Sequence, residues 1–364
     1  MSFRKNISYV LFPLTMWYAV GVRFRNLFYA LGIKKQEAPH ITTIGVGNLS
    51  TGGTGKTPHV EYLLRLLADK YPTAMLSRGY KRKSKGYVLD DGSHDASLLG
   101  DEPAMIAAKF PQVQVAVCEK RVEGVHRLMA MSDAADGKTT PQLIILDDVF
   151  QHRAIKPSIN ILLTEYANPY FTDHILPYGD LREFKNARFR ANIVIVTKCP
   201  ANLNPVEKHN IIHDLELQNY QKVFFSYLKY GALLTLDGKP TGLDLRNVDN
   251  VLCITGIANP EPMIAELRRK TKVQHMAFAD HHVFTQRDLA RIKETFAALP
   301  GNNKIIVTTE KDATRLHGLT EGLPVYVLPI EVVFHEENDK DFDLLVESSV
   351  KENISFLSKL TIWG

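Results

Sequence analysis

Eight residues, Ser50-Thr51-Gly52-Gly53-Thr54-Gly55-Lys56-Thr57, restrict the fold of this chain more than any other stretch, because they stand directly after an apolar run and directly before a helical pattern. Glycines let successive backbone N–H groups turn inward around a phosphate, and the start of the following helix adds the positive end of its dipole. Gly52, Gly53, Thr54 and Gly55 form the cradle, Lys56 reaches the β- and γ-phosphates, and the Thr57 hydroxyl is a candidate Mg²⁺ ligand. The first glycine usual in this pattern is Ser50 here. A strand that feeds such a loop and helix belongs in a parallel sheet covered by helices on both faces.

The rest of the chain keeps to that plan. Buried strands are predicted at His40 to Val46, Thr73 to Ser77, Val113 to Cys118, Gln142 to Leu146, Ile159 to Thr164 and Asn192 to Thr197, with helices from Gly55 to about Lys70 and from about Glu119 to Met131. Between Val223 and Asp249 the pattern changes to alternation about Asp237-Gly238, a hairpin-turn signal. A smaller series follows, with strands at Val251 to Thr255, Val273 to Phe278, Lys304 to Thr308 and Val325 to Leu328, helices near Pro260 to Lys270 and Thr285 to Ala298, and a last helix over Asp341 to Leu360. At roughly 100–200 residues per domain, 364 residues agree with two units. The expected fold class is α/β: a P-loop NTPase-like, doubly wound, mostly parallel sheet with a second, smaller α/β domain joined by a β-hairpin linker. The expected divisions are an N-terminal arm (1–37), the P-loop domain (38–221), the linker (222–249) and the smaller domain with its C-terminal helix (250–364).

Leu143-Ile144-Ile145-Leu146-Asp147-Asp148 is an apolar strand ending in two carboxylates. Mg²⁺ takes hard oxygen ligands and is usually held by one or two carboxylates together with substrate phosphates, so Asp147 and Asp148 are candidate metal ligands. Two other nucleotide classes fit poorly. Guanine recognition wants a carboxylate where Thr197-Lys198-Cys199-Pro200 has proline, and a partner-switched ATPase wants a lysine where the loop has Thr51. Gly100-Asp101-Glu102-Pro103 and Asp280-His281-His282 each precede a predicted helix, and each reads either as a cap or as functional acids and bases.

The formal net charge of +4 is too small for a nucleic-acid surface unless it is clustered, and the clustering is N-terminal. Arg4, Lys5, Arg23, Arg25, Lys34 and Lys35 stand against Glu37 alone, a local +5, so the remaining 324 residues sum to −1. If Pro13 opens a helix, Trp17, Val20, Phe24, Leu27, Phe28 and Leu31 share one face. An aromatic face flanked by cations suits the headgroup boundary of a bilayer, whereas the sixteen uncharged residues from Ile7 to Val22 fall short of the ~20 a spanning helix needs. Cys118, Cys199 and Cys253 are widely spaced and suggest neither a disulfide framework nor a zinc site.

Taken in order, these elements resemble the tetraacyldisaccharide 4'-kinase family of lipid A biosynthesis. The matching residues are Gly47-Asn48-Leu49 leading into the loop and Pro58, Leu76-Ser77-Arg78-Gly79-Tyr80, Gly100 to Pro103, Leu146-Asp147-Asp148 with Gln151-His152, Pro177 to Glu183, Gly256-Ile257-Ala258, Phe278 to Phe284, and Thr309 to Ala313. The resemblance implies ATP- and Mg²⁺-dependent phosphorylation of the 4'-hydroxyl of a tetraacylated glucosamine disaccharide 1-phosphate. It also implies action at the cytoplasmic face of the inner membrane, where residues 1–36 would bind peripherally or as a single N-terminal anchor; a monomer is expected, and the charge distribution leaves no nucleic-acid partner. It implies Asp101 as general base supported by His281, with Lys56, Asp148 and Arg182 as further catalytic groups. Thr57, Glu102, Asp147 and Asp148 would surround the metal, and Asn48, Ser77, Arg78, Gly79, Tyr80, Gln151, His152 and Glu183 would line the substrate. For His281 to support Asp101, the smaller domain must close over the larger one. One departure is Val149-Phe150, where the family commonly has Gly-Leu after the acidic pair. A reading from another class is a membrane-recruited P-loop ATPase that switches a protein partner; a small soluble metabolite kinase would leave the aromatic basic arm unexplained.

Overall fold

A computed structural model of the chain describes residues 8–131, 139–280, 282–316, 320, 322–335 and 339–362. Two compact units emerge, Met1–Leu228 with Val332–Gly364, and Lys229–Glu331.

The larger unit begins with helix α1 (Ser8–Ala30) and continues through β1 (Thr42–Asn48), α2 (Lys56–Leu67), β2 (Thr73–Ser77), β3 (Val88–Leu89), α3 (Ala96–Leu99), α4 (Asp101–Lys109), β4 (Gln114–Val117), α5 (Arg121–Met129), β5 (Leu143–Asp147), β6 (Ile159–Glu165), β7 (Ile193–Thr197), α6 (Pro205–Asp214) and β8 (Lys222–Tyr230). The smaller unit holds β9 (Leu234–Thr235), β10 (Asn250–Thr255), α7 (Glu261–Arg268), β11 (Lys272–Ala277), α8 (Gln286–Ala298), β12 (Lys304–Thr308), α9 (Glu310–Leu316) and β13 (Val325–Val327). The chain returns to the larger unit through β14 (Ile330–Phe334) and ends in α10 (Asp339–Ile362).

The large sheet runs β14-β8-β7-β6-β1-β5-β2-β4-β3, and the small one β11-β10-β12-β13-β9. From β8 to β4 all pairings in the large sheet are parallel, and β3 lies antiparallel to β4. Side chains alternate between its two covered faces. Leu143 and Ile145 of β5 pack with Val60, Leu63 and Leu64 of α2, whereas Ile144 and Leu146 pack with Val125 and Leu128 of α5. This is the period-2 pattern of a strand buried on both sides, so near-continuous apolar runs were the right sequence signal. β1 and β5 are parallel neighbours with Val46 opposite Asp147, so the loop after β1 and the acids at the end of β5 emerge side by side at the carboxyl end of the sheet.

Three sequence expectations need correction. α1 does not open at Pro13; the helix runs through it. Segment 222–249 is not a free-standing hairpin linker. β8 is a strand of the large sheet, while the Asp237-Gly238 turn, closed by the Gly238 N–H on the Thr235 carbonyl, belongs to the smaller unit. The C-terminal helix also belongs to the larger unit. Phe342, Val346 and Val350, four residues apart, enter its core, and the Phe342 ring stacks on Phe334 at 4.2 Å. Tyr62 of α2 donates to Asp343 at 2.9 Å, and Lys70 pairs with Glu347 at 2.6 Å.

α1 lies against the larger unit through polar contacts. The Tyr18 hydroxyl donates to the Arg182 carbonyl at 3.0 Å, Arg25 pairs with Glu183, and Arg153 donates to the Asn26 carbonyl at 3.2 Å while its guanidinium covers the Tyr29 ring. The stripe predicted to be apolar, Trp17, Val20, Phe24, Leu27, Phe28 and Leu31, faces outward, with Trp17 78% exposed. Among the described residues no helix is long and apolar enough to cross a membrane.

Candidate active site

The loop between β1 and α2 has the backbone its glycines allow. Gly52 and Gly55 sit at φ +112° and +85°, left-handed conformations that other residues rarely adopt. A side chain at Gly52 or Gly53 would meet nothing within 4 Å, so the cradle is open. Its carbonyls are turned back toward the protein. Thr197 of β7 donates to the Thr54 carbonyl at 2.9 Å, and the Gly55 carbonyl accepts from the His59 N–H at 3.2 Å.

Asn48, the last residue of β1, is the hub of the site. Lys56 Nζ donates to its Oδ1 at 3.4 Å and stands 3.8 Å from Asp148 Oδ1. Arg182 donates to the same Asn48 oxygen, to both Asp148 oxygens at 3.3 and 3.4 Å, and to the Ser50 carbonyl at 3.1 Å. Gln151 donates to the Asn48 carbonyl at 2.7 Å. Asp148 has a φ of +46°, a turn that aspartate tolerates better than most residues. The turn parts the two acids: Asp148 meets Lys56 and Arg182, while Asp147 accepts from Ser77 Oγ at 3.0 Å. On the facing turn, Thr57 Oγ1 donates to Glu102 Oε2 at 2.8 Å. Asp101 is half-buried beside it as the first residue of α4. Gly100, at φ +91°, allows the close approach of the Ser77-to-Tyr80 loop; a Cβ there would lie 2.9 Å from the Tyr80 carbonyl.

The two carboxylates differ electrostatically. Burial, together with the nearby charges of Glu102 and Asp148, pushes Asp147 up to about 6. Burial acts on Asp148 in the same direction, but Lys56 and Arg182 outweigh it and hold that carboxyl below its ordinary value. Asp147 Oδ1, Asn48 Nδ2 and Thr54 Oγ1 are buried without a hydrogen-bond partner. An unmatched acceptor among like charges and an unmatched donor beside an open cradle suit a cation and phosphate oxygens respectively. Among the described residues no three His, Cys, Asp or Glu side chains are arranged to hold a metal ion by themselves.

A pH dependence follows from Asp147. Its folded value lies above the ordinary 3.8, so the native state holds this proton to higher pH than the unfolded chain does. Its contribution to stability is therefore largest below pH 4, falls as pH rises to about 6, and is constant above, a loss of about 3 kcal/mol at ~1.4 kcal/mol per unit. Without metal, Asp147→Asn is expected to flatten that part of the stability profile and to unfold later than the parent at pH 7. Chemical denaturation at a series of pH values, with chelator present, checks it; equal slopes for the two proteins would contradict it.

Some expected substrate-facing residues lie elsewhere. Glu183 is fully buried and ion-paired with Arg25 and, at 2.8 Å, with Arg190, so its carboxylate ties α1 to the body and is closed to solvent. Ser77 is buried and supports Asp147. Arg78 and Tyr80 are exposed, and half-buried His152 is pushed down to about 4 by burial and by the charges of Arg121 and Arg78. His281 lies outside the described residues. Val149 and Phe150 are buried over β1, where Gly45 and Gly47 make room; a Cβ at either glycine would come within 2.8 Å of them.

Sequence reasoning missed Arg121 and His59. Arg121 is 1% exposed, donates to the Cys118 and Asp147 carbonyls at 2.6 and 3.1 Å, and is held down to about 10 by burial. Nothing in its neighbourhood distinguishes it from a surface cation near a helix start. His59 falls on the apolar face of α2, where a histidine reads as core.

Comparison with known proteins agrees with this arrangement. The family model described as "Tetraacyldisaccharide-1-P 4'-kinase" matches residues 7–350. A Bacteroides fragilis protein named tetraacyldisaccharide 4'-kinase is 42% identical over 356 residues, covering 94% of this chain and 93% of its own. A Flavobacterium johnsoniae protein of the same name is 41% identical, covering 95% and 98%. A crystal structure of LpxK from Aquifex aeolicus in complex with ATP superposes with a TM-score of 0.74 at 28% identity, covering 96% of this chain and 99% of that one. With a family model and full-length relatives both matching nearly end to end, this chain belongs to the tetraacyldisaccharide 4'-kinase family.

Proposed function

We propose that the protein transfers the γ-phosphoryl group of ATP to the 4'-hydroxyl of a tetraacylated glucosamine disaccharide 1-phosphate, a step of lipid A biosynthesis. The observation that carries this reading is the single network joining Lys56, Asn48, Asp148 and Arg182 beside the open loop, in a chain of this family. The new bond forms between the sugar oxygen and Pγ, the bond from Pγ to the bridging oxygen breaks, ADP leaves with that electron pair, and the hydroxyl proton passes to Asp101. A carboxylate is a weak base for a sugar alcohol, but the transition state of phosphoryl transfer is loose, so Asp101 mainly orients the hydroxyl. Lys56 and Arg182, held by Asn48 and Asp148, present two positive charges where negative charge gathers. Thr57, Glu102, Asp147 and Asp148 would hold Mg²⁺ together with the substrate phosphates, and the ion when bound would neutralise phosphate charge. Each chain carries this whole set, so a monomer suffices.

The arm supplies the meeting with a lipid substrate. The outward aromatic stripe of α1, with the cations around it, is proposed to lie in the headgroup layer of the inner membrane on its cytoplasmic side. Removing the arm would take Arg25 from buried Glu183, so outward point variants are the cleaner test. Trp17→Glu with Phe24→Glu is expected to weaken partition into anionic vesicles by roughly tenfold or more and to raise the apparent KM for substrate in vesicles, with unfolding unchanged. Undiminished partition would reject the arm as the anchor.

ATP turnover tests the catalytic reading. It is expected to depend on added acylated disaccharide 1-phosphate. Rapid ATP hydrolysis indifferent to that lipid would favour an ATPase switch acting on a protein partner.

A further inference from the structure

The His59 ring joins the phosphate loop to β8. Its Nδ1 lies 2.7 Å from the Gly55 carbonyl oxygen and its Nε2 3.0 Å from Ser226 Oγ. A carbonyl oxygen only accepts, which assigns the proton to Nδ1 and leaves Nε2 to accept from the Ser226 hydroxyl. The surroundings hold the ring in that state. His59 and Ser226 are 2% and 1% exposed, burial pushes the imidazole down to about 4, and Phe334 meets it edge-on at 6.3 Å. The Ser226 carbonyl accepts in turn from the Cys199 N–H at 2.9 Å, so the serine is fixed from its other side.

A peptide unit is planar and trans, so the Gly55 carbonyl and the Lys56 N–H point in opposite directions. Gly55, at φ +85°, has no side chain to restrict rotation of that unit. The backbone bond from the His59 N–H, at 3.2 Å, is the longer of the two bonds on this carbonyl, and the ring supplies the shorter one. We propose that His59 is a positioning residue for the phosphate loop: its Nδ1–H, aimed by Ser226, holds the Gly55 carbonyl against the protein and so presents the Lys56 N–H to the nucleotide phosphates. His59 touches neither substrate. Its effect falls on nucleotide affinity and leaves the lipid site alone. The inference rests on the kinase reading only as far as the loop's binding of ATP.

Two side-chain isosteres separate the two bonds. Asparagine places an amide near Nδ1, within reach of Gly55; glutamine places one near Nε2, toward Ser226. The test titrates the full-length chain with a fluorescent ATP analogue and Mg²⁺, measures KM for ATP and for the acylated disaccharide, and records thermal unfolding of each variant. His59→Gln is expected to weaken nucleotide binding about tenfold, the worth of a buried hydrogen bond. KM for ATP should rise in step, while KM for the lipid stays constant. His59→Asn should recover affinity to within about threefold of the parent, and Ser226→Ala, which frees the ring but keeps the donor, should fall about threefold. Equal nucleotide affinity in the parent and in His59→Gln would overturn the proposal. So would losses in His59→Gln and His59→Asn that merely follow their unfolding temperatures, and Ser226→Ala keeps the question open to refutation if both histidine variants fold poorly. A parent chain that binds the nucleotide but phosphorylates no lipid would count against the kinase reading and leave this comparison standing.

Discussion

Lys56→Ala is expected to lower turnover about 10³-fold, measured in a single-turnover assay with lipid substrate in excess. The size follows from geometry. Lys56 is the cation of the loop itself, and its ammonium is aimed by Asn48 Oδ1 at 3.4 Å and Asp148 Oδ1 at 3.8 Å. Such a donor is set before reaction begins, so charge developing on the transferred group meets it without reorganisation. Arg182 shares both of its partners and limits the damage to folding, since Asp148 keeps a cation. The loss should therefore appear in catalysis with little change in unfolding. Turnover within tenfold of the parent would remove Lys56 from the mechanism.

Asp101→Ala is expected to cut turnover by about 10²–10⁴ while ATP affinity changes less than about threefold. The split arises because Asp101 and its neighbour Glu102 have different roles in the proposed mechanism. Glu102 accepts from Thr57 of the phosphate loop and stands close enough to Asp147 to raise it, so removing Glu102 should disturb nucleotide and metal together. Asp101 opens α4 in a turn set by Gly100 against the Tyr80 carbonyl, a fixed seat for the proposed base. Comparable losses in affinity and turnover would make Asp101 a second loop support and leave the base unassigned.

What was legible in the sequence follows from how local each signal is. Strand β5 and the acids after it could be read because a doubly buried strand is continuously apolar and its polar end stands out. The phosphate loop could be read because its glycines serve backbone conformations that other residues reach with difficulty. The orientation of α1 could not. Its aromatic stripe marks an amphipathic helix, but which face meets the body is decided by Tyr18, Arg25 and Asn26 meeting residues more than a hundred positions away. Glu183 misled for the same reason, because its partners Arg25 and Arg190 come from different elements. Position in the sequence puts the C-terminal helix with the smaller unit, whereas Phe342 and Val346 find their partners on α2 and β8. His59 escaped notice because a polar atom on an apolar helix face has meaning only once Ser226 is opposite it.

The central claim is that phosphate moves from ATP to one sugar oxygen. Incubating the protein with γ-labelled ATP, Mg²⁺ and a tetraacylated disaccharide 1-phosphate, then locating the label by mass spectrometry and phosphorus NMR, tests it most directly. The expected result is a 1,4'-bisphosphorylated product labelled only at the 4' position, with ADP formed one for one. Label released as inorganic phosphate with the lipid unchanged, or attached to another oxygen of the sugar, would contradict it.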